Sequence, residues 1–177
     1  MKIETDRLVL RDLTDADTLE VHAYASDPEV VQYMDWGPNS LNETVIFIKK
    51  ALQEQGEKPR YHYTLAVEEK TENRLIGSCG LHVSNPADRE GWIGYCFNKR
   101  FWGRGYATEA AKALVALGFR ELSLHRVFAT CDPTNTASAR VLEKAGMIRE
   151  GHLREHKWSK GRWRDSFLYA IVNQRET

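Results

Sequence analysis

The chain has 177 residues, 42% hydrophobic and 28% charged, with 25 Lys and Arg balanced by 25 Asp and Glu. Such a length suits one folded unit spanning 1–177, and the zero formal charge excludes the overall basic excess of a dedicated nucleic-acid binder. Cys79, Cys96 and Cys131 are odd in number and lack CxxC or metal-ligand spacing. They read as reduced core residues of a cytoplasmic protein, with no disulfide framework and no metal site.

The first residues, with charges at Lys2, Glu4, Asp6 and Arg7, do not suit a secretory signal. No later stretch approaches the roughly 20 apolar residues that cross a bilayer. Arg7-Leu8-Val9-Leu10-Arg11 alternates charged and apolar character, which predicts a half-buried strand. Thr14 with Asp17 marks a helix start, followed by apolar positions through Tyr24. Ser40 and Glu43 fit a capping box, in which each side chain satisfies a backbone N–H the helix leaves free. Leu41, Val45, Ile48 and Leu52 then share one face of a helix ending near Gly56.

Residues 61–67, 75–83 and 92–97 are rich in β-formers and separated by turn residues, so three strands are expected. Over 104–119, Ala107, Ala110, Ala111, Leu114, Val115 and Gly118 recur at the spacing of a buried helix face. A strand over 124–131 and a short helix over 134–145 follow, the helix closed by Gly146 with Lys144 in its last turn. Strands over 147–158 and 164–172 flank a Lys160-Gly161 turn. The order predicts a mixed α/β fold, one central sheet covered by helices on both faces.

The stretch with most chemical content is Arg100-Phe101-Trp102-Gly103-Arg104-Gly105-Tyr106-Ala107-Thr108, between a strand and an amphipathic helix. A helix N-terminus presents unpaired N–H groups and the positive end of the macrodipole, which suits a phosphate. Gly103 and Gly105 allow close backbone approach to an anion, and Arg100 and Arg104 can add charge-assisted contacts. The pattern is neither a Walker loop nor a dinucleotide fingerprint. Glycines at a strand-to-helix turn also serve geometry alone.

R-x-x-G-x-G resembles the coenzyme A pyrophosphate loop of GNAT N-acetyltransferases. Asn135, Ser138 and the run Glu143-Lys144-Ala145-Gly146-Met147 resemble that superfamily's N-x-x-S…EKxGF segment. Similar correspondences hold for residues 7–11, for Ile93-Gly94-Tyr95 and for residues 161–165. Over about residues 5–172 the chain is most similar to the branch of Rim-type ribosomal-protein N-terminal acetyltransferases. The resemblance implies a GNAT fold with a central, mixed, mostly antiparallel sheet, and acetyl-CoA as acetyl donor. It further implies that Tyr95, Cys96 and Phe97 pair with the pantetheine arm, that backbone amides of 102–108 hold the pyrophosphate, and that Asn135 contacts the arm.

The implied reaction is direct attack of an amine on the thioester, which needs a neutral amine, an oriented carbonyl and a proton for the leaving thiolate. The tyrosine many superfamily members use for that proton falls at Leu142 here, so Ser138 becomes the candidate acid. Ser138 also reads as a small helix residue that lets the cofactor approach, and water could protonate the thiolate. The glutamate often found two residues before Gly-Tyr is Trp92 here; Glu90, His82, Glu155 and His156 are the remaining candidate bases. Tyr33, Asp35 and Trp36 precede the capped helix as candidate acceptor-binding residues, though the two aromatics equally suit core filling. The acceptor is expected to be the N-terminal α-amine of a protein, a ribosomal one on the resemblance; a small amine such as an amino acid, polyamine or antibiotic is the alternative, and a non-catalytic acyl-CoA binder a further rival reading. Monomer and homodimer both remain open.

Overall fold

In the computed structural model, which describes residues 1–174, strands run over Lys2–Glu4 (β1), Leu8–Asp12 (β2), His62–Glu69 (β3), Arg74–Asn85 (β4), Glu90–Phe97 (β5), Arg126–Cys131 (β6), Ile148–Ser159 (β7) and Arg162–Val172 (β8). Helices span Thr18–Ala25 (α1), Leu41–Gln55 (α2), Tyr106–Arg120 (α3) and Thr136–Lys144 (α4). The strands form one eight-stranded sheet in the order β1-β2-β3-β4-β5-β6-β8-β7. Neighbours are antiparallel except β5 and β6, which run parallel, so the sheet is mixed and mostly antiparallel as expected.

The two-residue period of the strands sorts the apolar side chains onto two faces. Leu65, Val67, Ile76 and Val127 meet Ala110, Ala111, Leu114 and Leu117 of α3 on one face. Ala66, Leu75 and Cys96 meet Val21 and Tyr24 of α1 and Ile48 and Ala51 of α2 on the other. Gly118 lets α3 lie close to the sheet, because an added Cβ would come within 3.0 Å of Val127 Cγ2 and 3.1 Å of Leu81 Cδ1.

The sequence missed β1, whose three residues pair with β2 through Ile3 and Leu10 but carry too few apolar positions to show a period. It also began α3 two residues early. Gly105 has φ +83° and stands outside the helix as its N-cap, so helical geometry starts at Tyr106. In the same way α4 opens at Thr136 with Asn135 as cap, not at Thr134. The Thr14–Asp17 box exists, but it closes a tight turn over Asp15–Asp17 before α1 begins at Thr18.

The capping box of α2 is complete: Glu43 N–H donates to Ser40 Oγ at 3.3 Å, and Ser40 N–H donates to Glu43 Oε2 at 2.7 Å. Ser40→Ala should cost about 1 kcal/mol and lower Tm by roughly 2–4 °C in a thermal melt. An unchanged Tm would show that the box contributes nothing to the docked helix.

Candidate active site

The registers of β5 place the site. β4 pairs with β5 from Glu90 through Phe97, and β8 pairs with β6 along its whole length. Between β5 and β6, however, only Glu90↔Arg126, Gly91↔Val127 and Trp92↔Phe128 are paired. Beyond Trp92 the two strands part, and among the described residues one edge of 93–97 has no strand partner. Backbone N–H and C=O groups on such an edge need hydrogen bonds, and an extended chain that itself carries amides can supply them.

The end of β5 leads into the glycine loop. Asn98 Oδ1 accepts from the Arg100 N–H at 3.1 Å and sets a tight turn over Lys99–Phe101. Trp102 Nε1–H donates to the Phe97 carbonyl at 2.8 Å, which ties the loop back to the strand it left. Gly103 and Gly105 take φ of +74° and +83°, conformations that residues with a side chain rarely adopt. A Cβ at Gly103 would meet nothing within 4 Å, so the loop is open on that side. No side chain caps α3, and the first N–H groups of that helix therefore remain available to an anion.

Arg7 braces this loop, and nothing in the sequence pattern signalled it. Its Nε and Nη2 donate to Glu109 Oε2 at 2.8 and 2.7 Å, and its backbone N–H donates to Glu109 Oε1 at 2.9 Å. Nη1 donates to the Arg104 carbonyl at 2.9 Å, and the guanidinium lies over the Tyr106 ring at 4.7 Å. Thr5 Oγ1 adds a bond to Glu109 Oε1 at 2.6 Å. Burial pushes the Glu109 carboxyl up, but the bonds from Thr5 and Arg7 outweigh it and hold the group below its ordinary value. Glu109 is thus an ionised group in the first turn of α3 whose charge Arg7 answers, so it does not oppose an anion there. Arg104 rests over Phe101 at 5.5 Å, and Arg100 is exposed.

Across the gap, α4 brings its first turn towards β5. Asn135 Oδ1 accepts from the Ser138 N–H at 3.0 Å, while the Tyr95 hydroxyl lies 2.9 Å from Ser138 Oγ. Leu142 is buried in the core beneath α3 and α4. Burial pushes the Cys96 thiol up to about 12 and the Cys131 thiol up to about 11, and raises Cys79 as well. All three stay protonated and unfit as nucleophiles. Among the described residues no cluster of three or more His, Cys, Asp or Glu could hold a metal.

The face towards α1 and α2 carries a row of rings. His62, His82 and Trp92 are register partners on β3, β4 and β5. His82 Nδ1 lies 2.8 Å from His62 Nδ1, and its ring stacks on Trp92 at 4.1 Å. The rings lean along their strands over a second register pair, Gly80 and Gly94. The positions where Cβ atoms would stand there are 3.1 Å from His82 Nε2 and 3.4 Å from Trp92 Cζ3. Burial, with the charges of His62 and Lys50, pulls the His82 pKa down to about 4.

Of the other candidate bases, Glu90 and His156 are engaged, while Glu155 is exposed and bonds through its backbone N–H to Asp165. Glu90 Oε2 accepts from Arg126 Nε at 2.9 Å, and Arg126 also holds Glu150. A bulge in β7 between Leu153 and Lys157 puts Glu155 at φ +47°, and lets His156 Nδ1 reach Ser166 Oγ at 3.0 Å. Residues 33–36 pack against the β7–β8 hairpin and not against the glycine loop. Arg164 donates to the Tyr33 carbonyl and to Asp35 Oδ1, both at 2.6 Å, and Lys157 donates to Asp35 Oδ2 at 2.8 Å. The Asp35 carboxylate is therefore shared between two cations, and Trp36 is 40% exposed beside it.

A parted strand edge running into an open, glycine-shaped helix N-terminus defines a protein that can hold a long amide-bearing carrier with an anionic end. A family model described as an acetyltransferase (GNAT) domain matches residues 7–148. The chain is 34% identical over 174 residues to the uncharacterized N-acetyltransferase YnaD of Bacillus subtilis, covering 98% of each. A GNAT-family acetyltransferase structure from Bacillus anthracis matches with TM-score 0.86 at 35% identity, over 97% of this chain and 98% of that one. The fold is also that of RimL, a ribosomal L7/L12 α-N-protein acetyltransferase seen with coenzyme A, at TM-score 0.86 and 20% identity over 97% and 98% of the two chains. It is likewise that of a spermidine N-acetyltransferase from Vibrio cholerae, at TM-score 0.81 and 22% identity over 95% and 96%. The chain belongs to the GNAT acetyltransferase family and is an acetyl-CoA-dependent N-acetyltransferase.

The depressed His82 pKa has a defined sign. The folded protein disfavours the imidazolium, so stability is full above the ordinary histidine value of about 6.5 and is lost as pH falls from there towards 4. An NMR titration should show the His82 imidazole changing near pH 4, and His82→Gln should flatten the fall in stability between about pH 6.5 and 4. A midpoint near 6.5 would refute the stacked, desolvated environment.

Proposed function

We propose that this enzyme acetylates the N-terminal α-amine of a protein, a ribosomal protein in the first instance, by direct attack on the thioester. The supporting observation is the pairing of two carboxylates on the side where the acceptor would enter. Glu90 is bonded to Arg126, and Asp35 to both Lys157 and Arg164. Neither is free to bind the charges of a polyamine or to strip a strongly basic amine. An α-amine, with a pKa of about 7.7–8.0, is roughly one-fifth to one-third neutral near pH 7.4, against about a thousandth of lysine side chains. It needs little help from a base. RimL, which shares the fold, acts on such an amine.

On this reading the free edge of β5 at Tyr95, Cys96 and Phe97 pairs with the pantetheine arm. The amides of 102–108 hold the pyrophosphate, with Arg100 and Arg104 adding charge. Asn135 spends its carbonyl on the α4 cap and keeps its amide N–H groups for the arm. The amine nitrogen bonds to the acetyl carbon as the C–S bond breaks. Ser138 passes its hydroxyl proton to the leaving sulfur as solvent returns one to its oxygen, and the proton lost by nitrogen goes to solvent, so the serine ends as it began. Trp36, Tyr33 and the hairpin residues beside them border the acceptor.

Release of coenzyme A thiol from acetyl-CoA should be measured with peptides bearing free Ser or Ala N-termini in one series and with spermidine and free amino acids in another. Turnover is expected on the peptides, and Gly105→Glu, strained at φ +83° and placing a carboxylate where the anion binds, should abolish it. Turnover confined to spermidine or amino acids would replace the acceptor assigned here. Arg7→Ala leaves Glu109 uncompensated beside the pyrophosphate, so KM for acetyl-CoA should rise roughly tenfold with kcat within about twofold. Unchanged KM would remove Arg7 from the cofactor site.

A further inference from the structure

Tyr95 stands just past the last residue that β5 shares with β6. Ile93 and Phe97 on either side of it, two residues away each, lie in the core beneath α3 and α4, so the strand period sends the Tyr95 ring to the same face. The ring packs against that core, and its hydroxyl reaches the first turn of α4, where it donates to the Ser138 carbonyl at 3.3 Å and lies 2.9 Å from Ser138 Oγ, so the one phenolic proton faces two acceptors and the nearer is Oγ.

A serine in a helix commonly turns its hydroxyl back onto a carbonyl three or four residues earlier. Ser138 does not. Its N–H is spent on Asn135, and among the described residues the partner of its Oγ is Tyr95. Burial drives the Tyr95 phenol well above its ordinary pKa, so the hydroxyl keeps its proton at any working pH. A Ser hydroxyl has one proton and two lone pairs. If Ser138 gave its proton to Tyr95, none would remain for a leaving group; if Tyr95 gives its proton to Ser138, the Ser138 proton is left over. In this chain the position at which many superfamily members carry a tyrosine is the buried Leu142, and a phenol arrives at α4 from the strand instead.

We propose that Tyr95 is the positioning residue for Ser138: it donates into Ser138 Oγ and so leaves the Ser138 proton as the one aimed at the thioester sulfur. This rests on the role given to Ser138 above. No bond is made or broken at Tyr95, whose proton stays on its own oxygen. Two roles therefore fall to one residue, with the backbone of Tyr95 on the parted edge and its hydroxyl on α4.

Tyr95→Phe, Ser138→Ala and the double variant should be compared with the parent enzyme in the thiol-release assay, using the peptide or spermidine that the parent turns over. Tyr95→Phe keeps the ring that fills the core, and a thermal melt would verify that the fold persists. It should lower kcat roughly tenfold, the equivalent of one hydrogen bond, with KM for acetyl-CoA changed less than about twofold. Added to Ser138→Ala, it should lower kcat no further, because the partner it orients is gone. Full kcat in Tyr95→Phe beside a loss in Ser138→Ala would overturn the inference and leave the Ser138 role intact. Multiplicative losses in the double variant would overturn it too, since Tyr95 would then act apart from Ser138. Full kcat in Ser138→Ala would remove the role of Ser138 and this inference together, while acetyl transfer itself would stand.

Discussion

The parting of β5 from β6 is the constraint on which the rest of the site depends. Each of the two strands is fully gripped on its outer side, β5 by β4 and β6 by β8, so neither can swing to close the gap. Three paired residues hold the closed end, and past Trp92 the polar backbone of one edge is left to whatever enters. The glycine loop has value because it begins where that edge ends. Trp102 fastens the loop to Phe97, the last residue of the edge, and Arg7 fastens the helix behind it to the N-terminal strand. A ligand lying along β5 is thereby delivered to the N-terminus of α3 without any further hinge.

The gap also separates two chemical environments. On the α3–α4 side are hydroxyls: Tyr95 and Ser138 in contact, with burial keeping the phenol protonated. On the α1–α2 side are imidazoles and spent carboxylates. His82 is neutral and stacked, Glu90 is committed to Arg126, and Asp35 to a pair of cations. Proton donors thus cluster on one side of the sheet, and on the other Glu90 and Asp35 are already bonded to cations. Such an asymmetry suits a reaction in which the leaving group needs more help than the nucleophile.

Much of this was legible in the sequence, and the parts that were not share a cause. The capping box at Ser40, the buried face of α3 and the glycine loop are local patterns, with spacings of a few residues set by helix and turn geometry. Arg7 and Glu109 are 102 positions apart, and no local rule links them. Asp35 reads as a free carboxylate because Lys157 and Arg164 come from 122 and 129 positions away. The start of α3 was misplaced by two residues, since composition does not reveal that Gly105 is left-handed. Nor can either strand announce that it abandons its neighbour. Both β5 and β6 look like ordinary strands, and the gap exists only in their relation.

The bulge in β7 has an effect beyond the placement of His156. β7 is the last strand of the sheet, twelve residues long, and among the described residues its outer edge has no partner strand. An exposed edge of that length invites another sheet to add on, the first step towards edge-to-edge aggregation. With register lost between Leu153 and Lys157, and Glu155 in a left-handed conformation, the edge is broken near its middle. A second register shift falls between Arg149 and Gly151, and charged Arg149 and Lys157 stand among the residues that remain paired. A second copy could follow this edge for only a few residues before the kink threw it out of step. The irregularity that places His156 against Ser166 thus also works against growth at the open end of the sheet.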